Sequence, residues 1–389
     1  MPRLRFPEFT GEWETKKLGE IATFSKGKGI SKSDIDEGGI TECIRYGELY
    51  TYYKEVITDI KSRTNIEKSA LVISEANDII IPASGESTID IATASCVLKS
   101  GVALGGDLNI IKTDNNGVFL SYYLNSKKKT EIANLAQGIS VVHLYSSQLA
   151  SLFISLPIVQ EQKKISSFLA VLDERITTQS KIIEQLETLI NGVCQELSQK
   201  KYWKKCYLRD ILSERKETNK NKFPVFSVSV YKGVINQIEY LGRSFAAKDT
   251  TNYNVVCYGD IVYTKSPTGD FPYGIIKQSF IKENVAVSPL YGVYIPKSIN
   301  IGTILHFYFK SPTNASNYLH SLIQKGAKNT INITNTRFLD NAIFLPTDEK
   351  ELENIALLLN TINQKIQTEK EILFQLEMQK KYLLQQMFV

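Results

Sequence analysis

Residues 157–197 read PIVQEQKKISSFLAVLDERITTQSKIIEQLETLINGVCQEL, with apolar residues recurring at every third or fourth position. The apolar positions follow the alternating four-three spacing of a heptad seam: Ile165, Leu169, Leu172, Ile176, Ile183, Leu186, Ile190, Val193 and Leu197. Gln179 interrupts the seam, and the seam from Ile165 to Leu197 contains no proline. Pro157 marks a boundary before the helix. The spacing predicts one long helix with an apolar stripe.

The same seam recurs 190 residues later, after Pro346. Its apolar positions are Ile355, Leu359, Ile362, Ile366, Leu373, Leu376, Leu383 and Met387. Glu369 and Lys380 interrupt it, and Glu369 is equivalent to Gln179. A single seam could be one stripe of a globular core, but two seams in the same register favour pairing with each other. Each would be about 50 Å long. We expect an antiparallel coiled coil in which Gln179 and Glu369 form a polar layer that penalises slipped registers.

The regions before the two helices also repeat. The offset is 190 residues from Trp13 to Trp203, 182 from Asp78 to Asp260, and 189 from Pro157 to Pro346. The sequence therefore predicts a tandem duplication with boundaries at 1–155, 156–200, 201–344 and 345–389. Each copy has a globular region followed by a long helix.

The globular regions mix the two kinds of periodicity. Alternating or continuous apolar runs predict strands at Asp78–Ile81, Leu108–Lys112, Val255–Thr264 and Leu290–Ile295. Helical spacing predicts helices at Val118–Leu135 and Ile301–Ile323. The expected fold class is mixed α/β.

Composition indicates a folded chain without a membrane anchor. The 389 residues are 43% apolar and 10% aromatic, enough for the cores of two or three domains. No apolar run reaches the length of about 18 residues that a transmembrane helix needs, and the start MPRLRFPEFTGEW lacks a signal peptide's apolar stretch. We expect a soluble, cytoplasmic protein.

The cysteines and histidines predict neither a disulfide framework nor a metal site. The cysteines are far apart and contain no C-x-x-C pair: Cys43, Cys96, Cys194, Cys206 and Cys257. The three histidines, His143, His306 and His320, have no metal-ligand spacing.

Charge is distributed unevenly along the chain. The total is +5, yet residues 201–344 alone carry a net +10, while residues 1–155 carry −2. Such asymmetry is typical of a protein that binds a polyanion mainly through its basic half.

No catalytic constellation assembles in the sequence. There is no Asn-Pro-Pro-aromatic motif, no glycine-rich cofactor loop after a strand, no Walker motif and no nuclease carboxylate pair with a following lysine. His143 near Ser140 is the nearest approach to a base beside a nucleophile, but no third partner is suggested. The sequence predicts a binding protein.

Three features carry a family resemblance: the opening PRLRFPEFTGEWETKKLGEI (residues 2–21), the junction LPIVQEQKKI (residues 156–165) and the 190-residue repeat. With them the chain resembles, over essentially its whole length, the specificity subunit of type I restriction-modification systems. The second junction, LPTDEKELENI (residues 345–355), departs from the pattern because it lacks the pair Glu161-Gln162. A partner contact made by that pair is therefore expected on one side only.

The resemblance implies that each globular region is a target-recognition domain for one half of a bipartite sequence in double-stranded DNA. Two methyltransferase subunits, which bind S-adenosylmethionine, would dock along the helices. Restriction subunits using ATP and magnesium would join them, and this chain itself would hold no cofactor. A helical spacer of about 50 Å corresponds to at most about 15 base pairs between the half-sites.

Candidate DNA contacts in the first copy are cations and small polar residues in expected loops. The loop from Lys26 to Lys32 combines glycines with Lys26, Lys28 and Lys32, and could approach a phosphate or be a solvated turn. Arg45 could bind guanine through two hydrogen bonds or form a salt bridge with Glu48 or Glu42. Ser84 and Ser140 lie in turn-like segments that could equally be ordinary loops.

The second copy offers more cations, interleaved with aromatic and amide side chains. The candidates are Lys216, Lys220, Lys222, Lys232, Lys265, Thr268, Lys325, Lys328 and Asn329. Because the two copies share the helical register and differ in loops and charge, the resemblance implies an asymmetric target. The competing interpretation is a two-lobed scaffold that assembles proteins and does not bind DNA.

Overall fold

The computed structural model describes residues 1–198, 203–243, 246–325 and 331–389. The chain divides into two compact units. The first unit contains Met1–Ser180 and Ile372–Val389, and the second contains Lys181–Glu371. Each unit therefore combines one globular region with a part of both long helices.

The first globular region contains thirteen strands among the described residues. They are β1 (Glu14–Lys17), β2 (Ala22–Lys26), β3 (Thr41–Ile44), β4 (Val56–Ile57), β5 (Ser62–Thr64), β6 (Val72–Ile73), β7 (Asp78–Pro82), β8 (Ser84–Gly85), β9 (Ser95–Val97), β10 (Ala103–Leu104), β11 (Leu108–Thr113), β12 (Val142–His143) and β13 (Phe153–Leu156). Its helices are α1 (Leu18–Ile21), α2 (Thr88–Ile91), α3 (Gly117–Tyr123), α4 (Lys129–Leu135) and α5 (Ser146–Ala150), and the long helix α6 (Val159–Ser198) follows.

The second globular region has a similar order of elements. Its described strands are β14 (Lys204–Tyr207), β15 (Leu212–Glu214), β16 (Phe226–Ser229), β17 (Gly233–Asn236), β18 (Asn254–Val256), β19 (Ile261–Tyr263), β20 (Ile276–Gln278), β21 (Val285–Val287), β22 (Gly292–Pro296), β23 (Gln324–Lys325), β24 (Ile331–Asn332) and β25 (Ala342–Leu345). Its helices are α7 (Leu208–Ile211), α8 (Gln237–Leu241), α9 (Ile299–Tyr308), α10 (Pro312–His320) and α11 (Asn335–Phe338), and the long helix α12 (Glu349–Met387) follows.

Strand pairing reproduces the sequence repeat residue by residue. In the first unit, Glu14 of β1 is opposite Leu156 of β13, and in the second, Lys204 of β14 is opposite Leu345 of β25. These pairs are related by the same offsets of 190 and 189 that the sequence shows. In both copies, therefore, the first strand of the globular region pairs with the last strand before the long helix.

In the central sheets, too, paired residues of the two units are related by a fixed sequence offset. The first unit orders its strands β2-β11-β7-β9-β4, and the second orders them β15-β22-β19-β20. The pair Ile79–Cys96 of the first sheet corresponds to Ile261–Gln278 of the second, both at an offset of 182. A further sheet, β5-β3-β10-β6, belongs to the first unit, and the corresponding part of the second contains two-stranded pairs.

The long helices pack together within each unit, and they run in opposite directions. In the first unit Lys380 of α12 contacts Asp173 of α6, whereas in the second Lys370 of α12 contacts Glu187 of α6. The position along α6 thus rises as the position along α12 falls, which confirms the expected antiparallel pairing.

Most of the seam positions are buried. Ile165, Leu169, Leu172, Ile176, Ile183, Leu359, Ile362 and Ile366 are buried, as are the polar interruptions Gln179 and Glu369. Leu186, Ile355, Leu373 and Leu376 are half-buried. Glu369 forms an ion pair with Lys365 on the same helix, so its carboxylate is compensated within the second unit.

Several predicted elements are divided in the structure. The predicted helix Ile301–Ile323 is two helices, α9 and α10, because Ser311 caps a new helix whose first residue is Pro312. The predicted strand Val255–Thr264 is two strands, β18 and β19, separated by a turn in which Gly259 has a φ of +89°. In the described ranges, no helix is both long and apolar enough to cross a membrane.

Candidate nucleic-acid interface

The loop after β2 presents its lysines to solvent on a backbone that is held in place. Lys26, Lys28 and Lys32 are exposed. The backbone N–H groups of Gly27 and Lys28 donate to the carbonyls of Leu108 and Leu104, each at 3.0 Å. A Cβ at Gly27 would lie 1.9 Å from the Gly105 carbonyl oxygen, so this glycine is required by the chain's own packing and need not serve a phosphate.

Arg45 begins the short helical turn Tyr46–Leu49 after β3 and is anchored by the buried Glu48. Its backbone N–H donates to Glu48 Oε2 at 3.0 Å, and Nη2 donates to Oε1 at 3.3 Å. Its Nε is buried and has no hydrogen-bond partner among the described residues. The guanidinium therefore keeps unused donor capacity while its position is fixed. The alternative partner, Glu42, pairs with Arg63 and Lys99.

Two of the predicted first-copy residues meet in one cavity. A cavity of about 520 Å³ is lined by Lys32 and Arg45, together with Tyr46, Gly47 and the backbone at Gly106. Lys26 lies apart from these lining residues, with its Nζ 5.8 Å from the centre of the Tyr145 ring. The cavity thus brings together a fixed Arg and an exposed lysine, which suits recognition of a base edge next to a phosphate.

The two predicted serines lie in different settings. Ser84 is buried and paired with His143 in the short ladder of β8 and β12, so the expectation that it lies in a turn is wrong. Strand pairing and burial leave its hydroxyl inside the fold. Ser140 is exposed in a loop that begins at Gly138, whose φ of +133° favours glycine.

A run of exposed cations follows β15 in the second unit. Lys216, Lys220 and Lys222 are all exposed. The preceding Arg215 is held by Asp260, with Nε donating to Oδ2 at 2.6 Å and Nη2 donating to Oδ1 at 3.0 Å. The hydrogen bond to Asp260 raises the pKa of Arg215. This anchored pair fixes the start of the run and leaves the lysines beyond it free to contact a ligand.

Other predicted residues of the second unit lie in separate loops. Lys232 is exposed in the turn between β16 and β17, beside Tyr231, which is 94% exposed. Lys265 is half-buried with a φ of +59°, and burial lowers its pKa. Thr268 is exposed in the loop after β19. Lys328 and Asn329 lie outside the described residues, and Lys325 is described only as a residue of β23.

The predicted partner-binding pair is used inside the chain. Glu161 is fully buried and accepts two hydrogen bonds of 2.7 Å from the Arg5 guanidinium. Gln162 accepts from the Asn116 backbone N–H and donates to the Pro157 carbonyl, both at 2.9 Å. Neither side chain presents a polar atom that remains available to a partner at the surface.

The second junction keeps half of this pair. The offset of 190 places Glu351 at the position of Glu161, and Leu352 at that of Gln162. Trp203 donates its indole N–H to Glu351 at 3.1 Å. The second junction therefore lacks the glutamine and retains the glutamate. The retained glutamate is hard to recognise from the sequence, because the residues around it differ from those around Glu161.

Sequence reasoning missed two lysines. Lys277 is only 2% exposed in β20, and Lys310 is half-buried between α9 and α10. Both line a cavity of about 890 Å³ in the second unit. A lysine directly after Ile275 and Ile276 was the available signal, because a charge in a buried strand demands a compensating environment.

Comparison with known proteins adds an independent finding. Residues 10–188 match the family described as the type I restriction modification DNA specificity domain. The type I restriction enzyme MjaVIII specificity subunit of Methanocaldococcus jannaschii is 27% identical over 204 residues, which are 51% of this chain and 44% of the relative. The match thus spans less than half the length of that relative.

Two solved structures share the fold. The S subunit of a type I restriction-modification system from M. genitalium superimposes with a TM-score of 0.67 at 16% identity, over 100% of this chain and 99% of that chain. A chain from a study of complex assembly and conformational transition of the type I R-M system gives a TM-score of 0.51 at 14% identity, over 96% and 97% of the two chains.

Proposed function

We propose that this chain reads a bipartite, asymmetric DNA sequence and recruits the subunits that act on it, which is supported by the match of residues 10–188 to the type I restriction modification DNA specificity domain. The observation that carries this proposal is the duplication itself. Two units share strand register to the residue, yet they differ in loops and in charge. A shared frame with divergent loops suits one scaffold that reads two different half-sites.

In the first unit, Arg45 is the proposed base-reading residue. Its position is fixed by Glu48, and its cavity also contains Lys32. Arginine with two parallel donors suits the O6 and N7 acceptors of guanine in the major groove. Lys26, Lys28 and the exposed Ser140 would contact phosphates and contribute to orientation, with less influence on sequence preference.

In the second unit, attraction to phosphates dominates. Residues 201–344 carry a net +10, and Lys216, Lys220, Lys222 and Lys232 are exposed. Lysines on a loop neutralise phosphates without reading bases, so this unit would supply much of the salt-dependent affinity. Thr268 and the half-buried Lys265 would approach the bases, and Lys325, Lys328 and Asn329 remain proposed contacts.

The long helices would receive the partners in the cytoplasm. Two methyltransferase subunits would dock on them and restriction subunits would follow, with S-adenosylmethionine, ATP and magnesium held by those subunits. The recognition domains would span 1–155 and 201–344, and the spacer helices 156–200 and 345–389. Since Glu161 and Gln162 are buried, their proposed role is to hold the segments at Arg5 and Asn116 in the shape that a partner meets.

The test is a fluorescence anisotropy titration of labelled duplex DNA with the full chain, alone and with the cognate methyltransferase subunit. The proposal expects weak, salt-sensitive binding alone and tight, sequence-selective binding in the complex. It also expects methylation of DNA only in the complex. Binding of the methyltransferase without any gain in DNA affinity or selectivity would instead support the two-lobed assembly scaffold.

A further inference from the structure

The two units contain the same cavity at equivalent positions. In the first unit it measures about 600 Å³, and in the second about 890 Å³. Helix residues that line the first cavity recur in the second at an offset of 190, for example Asp173 and Asn363, or Glu377 and Glu187. Each cavity lies within its own unit, between the globular region and the two long helices.

The first cavity contains a lysine whose charge is compensated. Lys380 contacts Glu55 Oε2 at 3.0 Å and Asp173 Oδ1 at 2.8 Å. The Tyr122 hydroxyl donates to the other oxygen of Asp173 at 2.5 Å. Burial works against the charge of Lys380, but the two carboxylates outweigh it and raise its pKa. This cavity therefore needs no external anion.

The second cavity has lost this compensation and gained two lysines. Asn363 stands where the first unit has Asp173. Lys277 stands at the position of Ser95, since Val262 pairs with Lys277 as Ile80 pairs with Ser95. Lys310 stands at the position of Asn125, as the alignment of Gly117–Asn125 with Gly302–Lys310 shows.

Packing supports that alignment. A Cβ on Gly117 would meet Cys96, and a Cβ on Gly302 would meet Gln278, the residue equivalent to Cys96. In the first unit the two replaced residues are satisfied by hydrogen bonds. Ser95 donates to the Lys54 carbonyl, and Asn125 bonds to both backbone groups of Ala94.

Lys277 and Lys310 have no such partners. Neither ammonium group makes a hydrogen bond or ion pair with a residue in the described part of the chain. Lys277 is 2% exposed, and burial lowers its pKa to about 8, with a contribution from Lys310. Burial also lowers the pKa of Lys310. His306 lies beside them and stays neutral at pH 7, because burial lowers its pKa and its Nδ1 accepts from the Gln278 backbone N–H at 3.0 Å.

The remaining surroundings are also favourable to an anion. Besides these two lysines, the charged lining residues are Lys232, Lys370, Glu187 and Asp270, and Lys370 already pairs with Glu187. The first turn of α10, beginning at Pro312, lines the same cavity and contributes the partial positive charge of a helix N-terminus. Exposed aromatic rings at Tyr231 and Phe280 line it as well.

We propose that the second cavity binds a small phosphate-bearing molecule of the nucleotide class, with Lys277 and Lys310 holding the phosphate group. The cavity volume is within the range of sites for such ligands, about 300–1,000 Å³. The aromatic rings offer stacking surfaces for a base. A free ligand fits better than a DNA backbone phosphate, because a duplex stays at the surface and Lys277 is almost fully buried.

Isothermal titration of the full chain with AMP and with inorganic phosphate tests the proposal. We expect one saturable site, with AMP binding more tightly than phosphate. Lys277→Met and Lys310→Asn, the latter introducing the residue of the first unit, should each weaken binding roughly tenfold. The exposed Lys282→Met in the same unit removes the same charge as a control and should leave the affinity unchanged.

Each other outcome overturns a defined part of the proposal. Absence of saturable binding would exclude a specific binding site. A loss of AMP affinity in Lys282→Met as large as in Lys277→Met or Lys310→Asn would exclude it as well. Equal affinity for AMP and phosphate would exclude the nucleotide class. Displacement of AMP by random duplex DNA would assign the phosphate to the DNA backbone. Thermal unfolding checks that the variants fold. DNA selectivity, measured separately on the same variants, should persist, so failure here is distinguishable from failure of DNA recognition.

Discussion

The two units share one backbone arrangement and differ in their electrostatics. Strand register is shared to the residue, and the equivalent cavities differ in the charges that line them. In the first unit a buried lysine is neutralised by Glu55 and Asp173. In the second, the ammonium groups of Lys277 and Lys310 have no hydrogen bond or ion pair with any described residue. The duplicated backbone therefore preserves pairing and packing, and the equivalent cavities differ at a few charged positions.

The strongest expected effect is in the first unit. Lys380→Met leaves two carboxylates, each about one-sixth exposed, without their cation. Removing one partner of a largely buried ionic cluster costs about 3 kcal/mol. Urea unfolding should show this loss, and the neighbouring exposed Lys381→Met should change stability little. A similar small effect for both variants would show that Lys380 is not a structural cation.

The same substitution should have the opposite sign in the second unit. Lys277→Met removes a buried charge that has no ion-pair partner in the described part of the chain, so the free energy of unfolding should rise by about 1–2 kcal/mol at pH 7. Urea unfolding at fixed pH measures the change, with Lys282→Met as the surface control. If Lys277→Met destabilises the protein, its ammonium group has a compensating partner inside the fold.

The depressed pKa of Lys277 also predicts how stability depends on pH. Its folded pKa is about 8 and its ordinary value is 10.5, so between these values the unfolded state binds the additional proton. Its contribution therefore becomes more favourable as the pH rises from 8 towards 10.5. Unfolding across this window should show the increase in the wild type and lose it in Lys277→Met. Equal profiles would contradict the assignment.

A smaller effect is expected where the helices are interrupted by polar residues. Gln179 and Glu369 are buried, and replacing both by leucine should stabilise the chain by about 1 kcal/mol while allowing alternative registers. Calorimetry measures the first effect, and light scattering after size exclusion measures oligomeric state. An unchanged oligomeric state together with an unchanged melting temperature would leave the polar layer without a role in register.

The smallest expected effect compares the exposed lysines of the two units. Replacing Lys216, Lys220 and Lys222 by glutamine should flatten the dependence of log affinity on log salt by about one unit per lost phosphate contact. The matched first-unit set, Lys26, Lys28 and Lys32, should flatten it less because Lys26 is already close to Tyr145. Equal slopes for both variants would remove the electrostatic asymmetry from the account.

The long helices and the duplication were predictable because their signals are local and periodic. The heptad seam needs only residues within one helix, and the fixed offsets recur in the strand pairs. The fold class is confirmed, and residues 10–188 match the family that the resemblance names. The break between α9 and α10 was signalled by Pro312 and was missed because the apolar spacing continued across it.

The site residues were harder to predict because burial depends on distant parts of the chain. Glu161 looked like a surface charge, yet its partner Arg5 lies 156 residues away. Lys277 lies in a strand that α9 covers. The absence of a carboxylate at the position of Asp173 becomes apparent only when the two units are compared. Ser84 looked like a turn residue because its strand partner, His143, is remote in sequence.

Sequence selection from randomised duplexes tests the central claim most directly, that each unit reads its own half of a divided target. The wild-type complex with its methyltransferase subunit should enrich two conserved blocks separated by a fixed gap. Arg45→Gln should relax base preference in one block and leave the other unchanged. Enrichment of a single continuous block, or equal loss of preference in both blocks, would contradict the account.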